Sequence, residues 1–581
     1  MTLHDLPTEI LYQIFLSVPP ASIPTLQQVC RKFNDLSQPL LWRHHCQSNY
    51  HHWRPEHEIH TKYAQSAAQV NWKQLFRTRH LGDRAVSQEL ESILASQTGR
   101  IEKAERILAY GYDAKDTLLR HLDVSDDAED VLARRYYSDA VLGAVHRTRA
   151  IEEWIKLREG QPVSLEQALA AFDQFVLHDR DGDLEETCAS LDYVAESIRL
   201  QNPEISKASP QKKAQLIAGY LLNKKLTGVE ADSQYHNLQN SFIGLALRSS
   251  ERAALPLISV AIFCAVSKRL GLVAEPCGFP FHIYAIVIAP EGHDVDGRPL
   301  QDGSETQRIY MDPFRSDTVI SKSDLEAQLK AMGIASIDHE EYLSIASTAD
   351  MVRRTAMNII KAIQSTGQIH DINVSAETAY PESHGALYSA LWVLLLLPEE
   401  NPARPASARY LRYMLDHVEQ QFLMDISMIE KFAIPLFEGS QNQEQLRETI
   451  RVIRAGDLMP KTVKPRDRET LRSVHFKVGQ VFQHRRYDYQ GVITGWDVEC
   501  AAAESWMSQM GVDRLSRGRH QSFYHVLVED KSVRYVAEEN IDNSPLEVST
   551  SLMSLAGRHF KRWDNTSKMF ISNIRDEYPD D

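Results

Sequence analysis

Cysteine is scarce in this sequence, and the cysteines present are not spaced for metal binding. The 581 residues include six cysteines, which are Cys30, Cys46, Cys188, Cys264, Cys277 and Cys500. Because no two of them form a CxxC pair, neither a zinc knuckle nor a redox dithiol is indicated. So few thiols in so long a chain are typical of a reducing compartment. We expect no metal and no cofactor.

Long apolar runs are also missing. The two longest stretches, 255–266 and 391–398, fall well short of the roughly 20 residues that a membrane-spanning helix requires. The first ten residues lack the basic start and apolar core of a signal peptide. The sequence therefore predicts a protein of the cytoplasm, the nucleus or both, with no membrane partner.

An excess of positive charge is the third absence. The formal net charge is −15, with 43% apolar and 25% charged residues. Such a balance is ordinary for globular protein and argues against a chain-wide surface for nucleic acid or anionic lipid. A local basic patch remains open. The length predicts several domains rather than one.

The first fifty residues have the pattern of three short helices. Apolar residues at Leu6, Ile10, Leu11 and Ile14 are spaced for a helix, and Pro7 stands where that helix should begin. A second helix follows, and a third short element carries Leu41 and Trp42. So small a unit buries little surface, which favours a binding partner.

Residues 1–50 resemble the F-box, whose pattern is Leu-Pro-x-Glu-apolar-apolar, then a Val-Cys-basic-x-Phe helix, then Leu-Trp. The alternative is an unrelated trio of amphipathic helices. The resemblance implies docking on a Skp-type adaptor and, through it, on the cullin of an SCF ubiquitin ligase. The residues expected to bind the adaptor are Leu6, Pro7, Glu9, Ile10, Leu11, Ile14, Val29, Cys30, Phe33, Leu41 and Trp42.

Residues 51–170 have apolar positions at helical spacing and are predicted to be a helical linker or scaffold. From 171 to 345 the pattern predicts an apolar helix, a strand with His282 and a strand that ends at Asp312. This order resembles the transglutaminase-like core of the papain-like class, most closely its SirB-type branch. The region is therefore expected to be mainly helical with a small sheet.

The nucleophile of an active transglutaminase-like site is expected at the start of the apolar helix, where the helix dipole lowers a cysteine pKa. Near position 256 the sequence has no cysteine. Cys264 lies inside the helix, and Cys277 precedes the histidine strand. Ser259 is a conceivable substitute, although a packed hydroxyl is the simpler interpretation. We therefore interpret His282 and Asp312 as a vestigial, structural pair in a non-catalytic domain.

Residues 346–465 return to a helical pattern, and residues 470–545 change to short alternating strands. A small five-strand barrel is the predicted closure. This stretch resembles the YccV family, also called HspQ-like. The residues that carry the resemblance are Val478, Gly479, His484, Tyr489, Gly491, Val492, Ile493, Trp496, Asp497, Trp506, Gln521, Phe523, Tyr524, Val526 and Leu527.

The YccV resemblance implies either hemimethylated DNA or protein as a partner. Residues 476–545 contain eight basic and ten acidic side chains, a net charge of −2, whereas DNA-binding domains normally carry a basic excess. The candidate contact residues are Arg514, Arg517 and Arg519. Protein binding is the favoured interpretation. Residues 546–581 are predicted to be a tail that packs back on the barrel.

Together these patterns predict a multidomain α+β protein with a helical F-box, a transglutaminase-like middle and a C-terminal small β-barrel. The resemblances imply a non-enzymatic substrate-recognition subunit of an SCF ubiquitin ligase, with protein substrates bound by the middle and C-terminal domains. Two alternatives stay open: a DNA-binding regulator acting through the YccV-like domain, and a transglutaminase-like hydrolase with an atypical nucleophile.

Overall fold

A computed structural model describes residues 6–36, 39–177, 182–231, 234–301, 306–367, 381–397, 406–467, 470–544 and 547–581. The chain divides into two compact units. The first combines Met1–Val145 with Thr449–Asp581, and the second is His146–Glu448. In the described ranges, no helix is both long and apolar enough to cross a membrane.

The N-terminal part of the first unit is helical. Its helices are α1 (Thr8–Ser17), α2 (Ile23–Gln27), α3 (Arg31–Leu36), α4 (Pro39–Asn49), α5 (Ile59–Ala64), α6 (Trp72–Ala95), α7 (Arg100–Leu108) and α8 (Lys115–Leu122). One core joins α1–α4 to the start of α6, where the ring centroids of Trp42 and Phe76 lie 5.4 Å apart. The F-box segment therefore shares its core with residues up to Phe76.

Helix α9 (Val131–Arg158) crosses from the first unit into the second. The remaining helices of the second unit are α10 (Leu165–Asp173), α11 (Leu184–Gln201), α12 (Pro210–Asn223), α13 (Ile243–Arg248), α14 (Pro256–Arg269), α15 (Lys322–Ala331), α16 (His339–Tyr342), α17 (Thr348–Gly367), α18 (Ser383–Leu396), α19 (Ala406–Gln421) and α20 (Ile426–Met428). A π-helical turn follows at Ile429–Ala433.

Helix α14 is the centre of the second unit. Every residue from Pro256 to Ser267 is buried, and the helix packs against α10, α11 and α12. This matches its sequence, which is apolar on all sides. Elsewhere in this unit Arg147 forms a buried, two-pronged ion pair with Asp425, at 2.6 and 2.7 Å.

The strands of the second unit are short and antiparallel. They are β1 (Gly228–Val229), β2 (Ala253–Ala254), β3 (Val273–Pro276), β4 (Ala285–Ile288), β5 (Arg308–Met311) and β6 (Val319–Ile320). β1 pairs with β2, and the others form a sheet in the order β3-β4-β5-β6. Asp312 directly follows β5, as predicted. His282 does not lie in a strand, because β4 begins three residues later.

A tight turn accounts for the position of His282. Its amide donates to the carbonyl of Pro280 at 2.8 Å, and Phe281 has a φ of 63°. A bulky side chain rarely adopts this left-handed backbone. The strand predicted over this stretch therefore starts only after the turn.

The C-terminal part of the first unit contains the second sheet. Its elements are α21 (Gln441–Leu458, which begins in the second unit), α22 (Thr470–Ser473), β7 (Val481–His484), β8 (Gln490–Asp497), α23 (Glu504–Met510), β9 (Phe523–Val528), β10 (Val533–Ala537), β11 (Ile541–Asp542), α24 (Thr550–Ala556), β12 (Phe560–Asp564) and β13 (Met569–Ser572). The sheet is antiparallel, in the order β10-β9-β8-β7-β11.

The predicted barrel does not close. Within the described chain, β10 pairs only with β9, and β11 pairs only with β7, so the sheet keeps two edges. β10 and β11 are nevertheless joined by the three residues Glu538–Asn540, which span little more than 10 Å. The sheet must therefore curl until its edges approach at one end. Because β11 has only two residues, the rest of the gap between the two edge strands has no hydrogen-bonded ladder.

The predicted tail is part of the core of this sheet. Leu552, Phe560, Phe570 and Tyr578 are buried with Trp496 and other residues of the strands. The backbone of Gly479 connects the two parts: its amide donates to Ile493 at 2.8 Å, and its carbonyl accepts from Phe570 at 2.9 Å. The hairpin β12–β13 is thereby fixed to the sheet.

Gly479→Ala tests this connection. Gly479 has a φ of +94°, and a Cβ there would lie 2.1 Å from the carbonyl oxygen of Phe570. We expect the free energy of unfolding to fall by more than ~2 kcal/mol, because the variant combines backbone strain with a clash against the main chain. Calorimetry, with hydrogen exchange of the β13 amides, measures the effect.

Gly518→Ala is the matched control. Gly518 also has a positive φ, of +53°, but a Cβ there would meet no atom within 4 Å. The Gly518→Ala variant should therefore lose about 1 kcal/mol of unfolding free energy, from backbone strain alone. Equal losses in both variants would contradict the close approach of Phe570.

Candidate functional site

Helix α1 has two apolar faces. Leu11 and Phe15, one turn apart, point into the protein and are fully buried, and the ring of Phe15 meets that of Phe33 edge-on at 5.4 Å. Pro7 provides the extended residue before the helix, with ψ of 149°, and its carbonyl accepts the amide of Leu11 at 3.1 Å. The inner face therefore fixes the orientation of the outer one.

The outer face of α1 is apolar and exposed. Pro7, Ile10 and Ile14 recur at helical spacing on one side. Ile10 is 49% exposed and Ile14 is 39% exposed. Exposed isoleucines at this spacing have no role in the core of the chain, so they are available to a partner.

The other residues predicted to bind the adaptor fall into exposed, half-buried and buried groups. Glu9 is exposed, Leu6 and Cys30 are half-buried, and Val29 is 64% exposed. The buried ones, which stabilise the helices from inside, are Leu11, Phe33, Leu41 and Trp42. Sequence reasoning missed Leu40, which is more than half exposed at the start of α4. The signal was present, since Leu40 and Leu41 are adjacent and a helix cannot direct both inward.

A histidine and a carboxylate meet in the second unit, as predicted. His282 Nε2 lies 3.0 Å from Asp312 Oδ2. Asp312 Oδ1 accepts the amide of Phe314 at 3.2 Å, and the Arg315 guanidinium lies 3.8 Å from Oδ2. The imidazole also contacts the rings of Tyr284 and Phe314, at 4.8 and 6.0 Å between centroids. The histidine is therefore held on several sides. Asp312 is nearly fully buried.

The residue next to this pair is one that the sequence did not single out. Phe281 is 93% exposed, and its backbone is left-handed. A large ring in open solvent beside a buried pair is unusual for structural residues. Its exposure follows from the turn and has no signal in the local pattern.

Ser259 is fully committed to hydrogen bonds. Its hydroxyl donates to the carbonyl of Ala254 and accepts from the amide of Gly228, both at 3.1 Å. Because Gly228 and Ala254 are paired across β1 and β2, the hydroxyl anchors that pair to α14. Among the described residues, no hydrogen bond connects Ser259 to His282. The hydroxyl proton is directed to the carbonyl of Ala254 rather than to a base.

The two cysteines closest to the pair in sequence, Cys264 and Cys277, are buried. Cys264 lies inside α14, and burial raises its pKa well above the usual range. The thiol of Cys277 donates to the carbonyl of Tyr342 at 3.4 Å, and burial raises its pKa to about 11. Neither environment favours a thiolate, which is the nucleophilic form.

The predicted arginine cluster lies between α23 and β9, and much of its charge is neutralised. Arg517 pairs with Glu538 at 2.9 Å. Arg519 pairs with both Glu504 and Asp513, at 2.7 and 2.8 Å. Arg514 is exposed and has no carboxylate partner in the described chain. Phosphate contacts by this cluster would have to compete with these ion pairs.

In the described part of the chain, no group of three histidine, cysteine or acidic side chains is arranged to hold a metal ion.

Three family models match the chain in the predicted order. The F-box-like model matches residues 3–48, and the transglutaminase-like superfamily model matches residues 185–357. The model described as hemimethylated DNA-binding protein YccV like matches residues 474–567. The chain is therefore a multidomain protein with F-box-like, transglutaminase-like and YccV-like modules.

The whole chain is similar to F-box only protein 21. The Homo sapiens protein is 23% identical over all of this chain and 92% of its own length. The Mus musculus protein is 25% identical over 62% of this chain and 54% of its own length. F-box only protein 31-B of Xenopus laevis is 44% identical over 50 residues, which are 8% of this chain and 10% of that protein. No solved structure gives a significant match.

The buried state of Cys277 makes a pH-dependent prediction. With a pKa of about 11, its thiol is ionised to roughly one part in ten thousand at pH 7. We expect iodoacetamide to leave Cys277 unmodified in native protein near neutral pH and to modify it only as the pH approaches 11. Peptide mass spectrometry after timed labelling measures this.

The internal controls are Cys30 and Cys500, which are only partly buried. They should be labelled first. Rapid labelling of Cys277 at neutral pH in folded protein would show an accessible thiolate and would reopen the hydrolase alternative.

Proposed function

We propose that this chain is a substrate-recognition subunit of an SCF ubiquitin ligase. It binds a Skp-type adaptor, and through it the cullin, by the outer face of α1. It binds protein substrates by its transglutaminase-like and YccV-like modules. The single observation that supports this most is the two-faced helix α1, in a segment that matches the F-box-like model. Whole-length similarity to F-box only protein 21 supports it independently.

The adaptor surface is built outward from the core. Leu11 and Phe15 anchor α1, so Pro7, Ile10 and Ile14 stand on a rigid base. Val29 and Leu40 add exposed apolar area on neighbouring elements. Interfaces gain most of their affinity from a few such anchors that become desolvated on binding. The buried residues of the F-box pattern would then act indirectly, by holding the anchors in place.

The role we propose for the transglutaminase-like module is binding without catalysis. Two observations support this: the hydroxyl of Ser259 donates to the carbonyl of Ala254, and burial raises the pKa of the Cys277 thiol. The hydrogen bond between His282 and Asp312 is then structural. The carboxylate and imidazole stabilise the loops that follow β5 and precede β4. Thioester chemistry belongs to other subunits of such a ligase.

Protein is the favoured partner of the YccV-like module. Two of its three clustered arginines are held by carboxylates, and the net charge of residues 476–545 is −2. Phosphate neutralisation needs unpaired positive charge, so this surface is poorly suited to DNA. We place the protein in the cytoplasm, the nucleus or both, in keeping with its six free thiols.

The double variant Pro7→Ala with Ile10→Ala tests adaptor binding. Truncating two interface anchors should weaken the binding free energy by about 3 kcal/mol, which is a factor of about a hundred in affinity. Both residues are exposed, so the fold should survive. Titration of purified Skp-type adaptor by calorimetry, with circular dichroism for folding, measures the loss.

Leu81→Ala is the matched control, since Leu81 is a comparably exposed apolar residue on α6 outside the F-box segment. It should bind the adaptor as the wild type does. A folded double variant with unchanged affinity would remove the main support for the ligase assignment.

His282→Gln tests the non-catalytic role. Glutamine can donate a hydrogen bond to Asp312 but cannot act as a general base. Ubiquitylation of a client by the reconstituted ligase should be unchanged within about twofold, because the pair contributes structure alone. Hydrolytic or transamidating turnover that disappears in this variant would instead establish an enzyme.

A further inference from the structure

A groove runs along the open edge of the C-terminal sheet. It encloses about 950 Å³, and its lining includes all five consecutive residues of β10, Val533–Ala537. Side chains of a strand alternate between the two faces of a sheet. Five consecutive residues can line one groove only if the backbone edge itself forms its floor. The groove is thus the seam that the incomplete barrel leaves open.

The backbone groups on this floor are unpaired. Ser532 and Glu538 are bonded to β9, since Val528 N donates to Ser532 O and Glu538 N donates to Ser522 O, both at 3.0 Å. In an antiparallel pair such positions alternate with ones that point away. Val533 and Tyr535 therefore direct their N–H and C=O groups to the open side, and Ala537 directs its N–H there, while the C=O of Ala537 caps the 3-10 helix Glu538–Asn540. Among the described residues, no strand pairs with this side of β10.

The walls of the groove are aromatic and apolar. On one side lie Trp506 and Met510 of α23, and the Trp506 ring is 5.8 Å from that of Tyr535. On the other side lie Tyr487 and Tyr489, from the turn between β7 and β8. Tyr487, Met510 and Val533 are each about 60% exposed. These side chains pack against neighbours within the groove, such as Tyr487 against Arg486, and leave an exposed apolar rim.

The charge of the lining is positive, in a chain of net charge −15. The charged lining residues are Arg486, Arg534 and Asp497. Asp497 is neutralised from beneath by Lys464 at 2.9 Å and accepts the Tyr535 hydroxyl at 2.8 Å. Arg534 is shared with Asp530, whereas Arg486 has no carboxylate partner in the described chain. An acidic ligand complements this lining.

We propose that this groove binds an extended, acidic segment of another protein, which adds to the edge of β10 as a sixth strand. Alternating backbone donors and acceptors on the floor fit a strand, because each exposed residue offers a matching pair of groups. Apolar side chains of the segment would enter the walls, and a carboxylate would meet Arg486. A nucleic acid, the competing ligand, can stack on aromatic rings but offers no such alternating ladder.

The inference rests on the proposed function only in taking the bound segment to come from a substrate. Peptide binding and adaptor binding are separate measurements on the same full-length chain. Loss of one with retention of the other therefore distinguishes the failure of this proposal from the failure of the ligase assignment.

Val533→Pro is the central test. The Val533 amide points away from β9, so proline removes a donor from the groove and leaves the ladder between β9 and β10 intact. Val533→Thr is the matched control, because threonine keeps both the amide and the branched shape. The probe is a display library of random short peptides selected on the full-length chain. Selected peptides should lose about fivefold to tenfold in affinity for Val533→Pro, and should bind Val533→Thr normally.

Two further measurements address strand geometry and charge. N-methylation of alternate peptide amides should abolish binding in one register and spare it in the other, because only one set faces β10. The amides of Val533, Tyr535 and Ala537 should become protected from hydrogen exchange on binding, whereas those of Arg534 and Val536, which face β9, should change little. Arg486→Glu should weaken acidic peptides, whereas Arg575→Glu, at an exposed site outside the groove, should not.

Three results would overturn the proposal. The first is a library that yields no peptide sensitive to Val533→Pro. The second is binding that persists after methylation of either set of amides. The third is a chain that binds an unstructured DNA strand but none of the peptides, with the DNA binding abolished by Arg486→Glu. That result would assign the groove to nucleic acid.

Discussion

The buried guanidinium of Arg79 is the interaction on which the N-terminal part of this protein depends. It donates to the carbonyl of His52 at 2.6 Å and to the carboxylates of Asp113 and Asp116 at 2.7 and 3.0 Å. The rings of Tyr50 and Trp53 cover it, each with its centroid 4.6 Å from the guanidinium carbon. Burial alone would raise the pKa of Asp113, but the hydrogen bond to His57 and the positive charge of Arg79 outweigh burial and lower that pKa. Removing one partner of such a pair typically costs 3–5 kcal/mol, because a charge is left buried alone. The segment that leaves the F-box is thereby held to α6 and α8.

A rigid base of this kind is what makes the outer face of α1 useful. An apolar patch on a mobile helix would lose affinity to the entropy of ordering it. Here Leu11 and Phe15 fix α1 to α3 and α4, those helices share a core with Trp72 and Phe76, and Arg79 continues the connection. Ile10 and Ile14 remain exposed because the inner positions are already filled. The helix is short, so the two faces cannot exchange without dismantling the core.

The middle and C-terminal modules differ in which parts of their fold are fixed by long-range contacts. In the transglutaminase-like module, the histidine and aspartate are in contact, but the serine hydroxyl bridges two strands and the nearby thiol is buried. In the YccV-like module, the sheet curls without closing, and β12–β13 packs into the core through Gly479. Its free edge is a liability that proteins usually cover, which is why an edge within a concave, aromatic groove indicates a partner.

The sequence by itself determined those features that depend on neighbours along the chain. The start of α1 just after Pro7, its doubled apolar pattern and the all-apolar α14 follow from spacing and composition, whereas the order of the three modules came from resemblance to known families. Features that depend on residues far apart were decided by the tertiary structure alone. Trp42 is buried because Phe76 packs on it, and Arg519 is neutralised because Glu504 and Asp513 fold beside it.

The barrel was predicted from strands that do exist, yet closure requires a long enough partner for β10, and β11 has two residues. His282 lies in a turn rather than a strand because Phe281 adopts a backbone that no local pattern predicts. Alternation along the chain shows which residues form a strand, but the partner of an edge is set by three-dimensional packing.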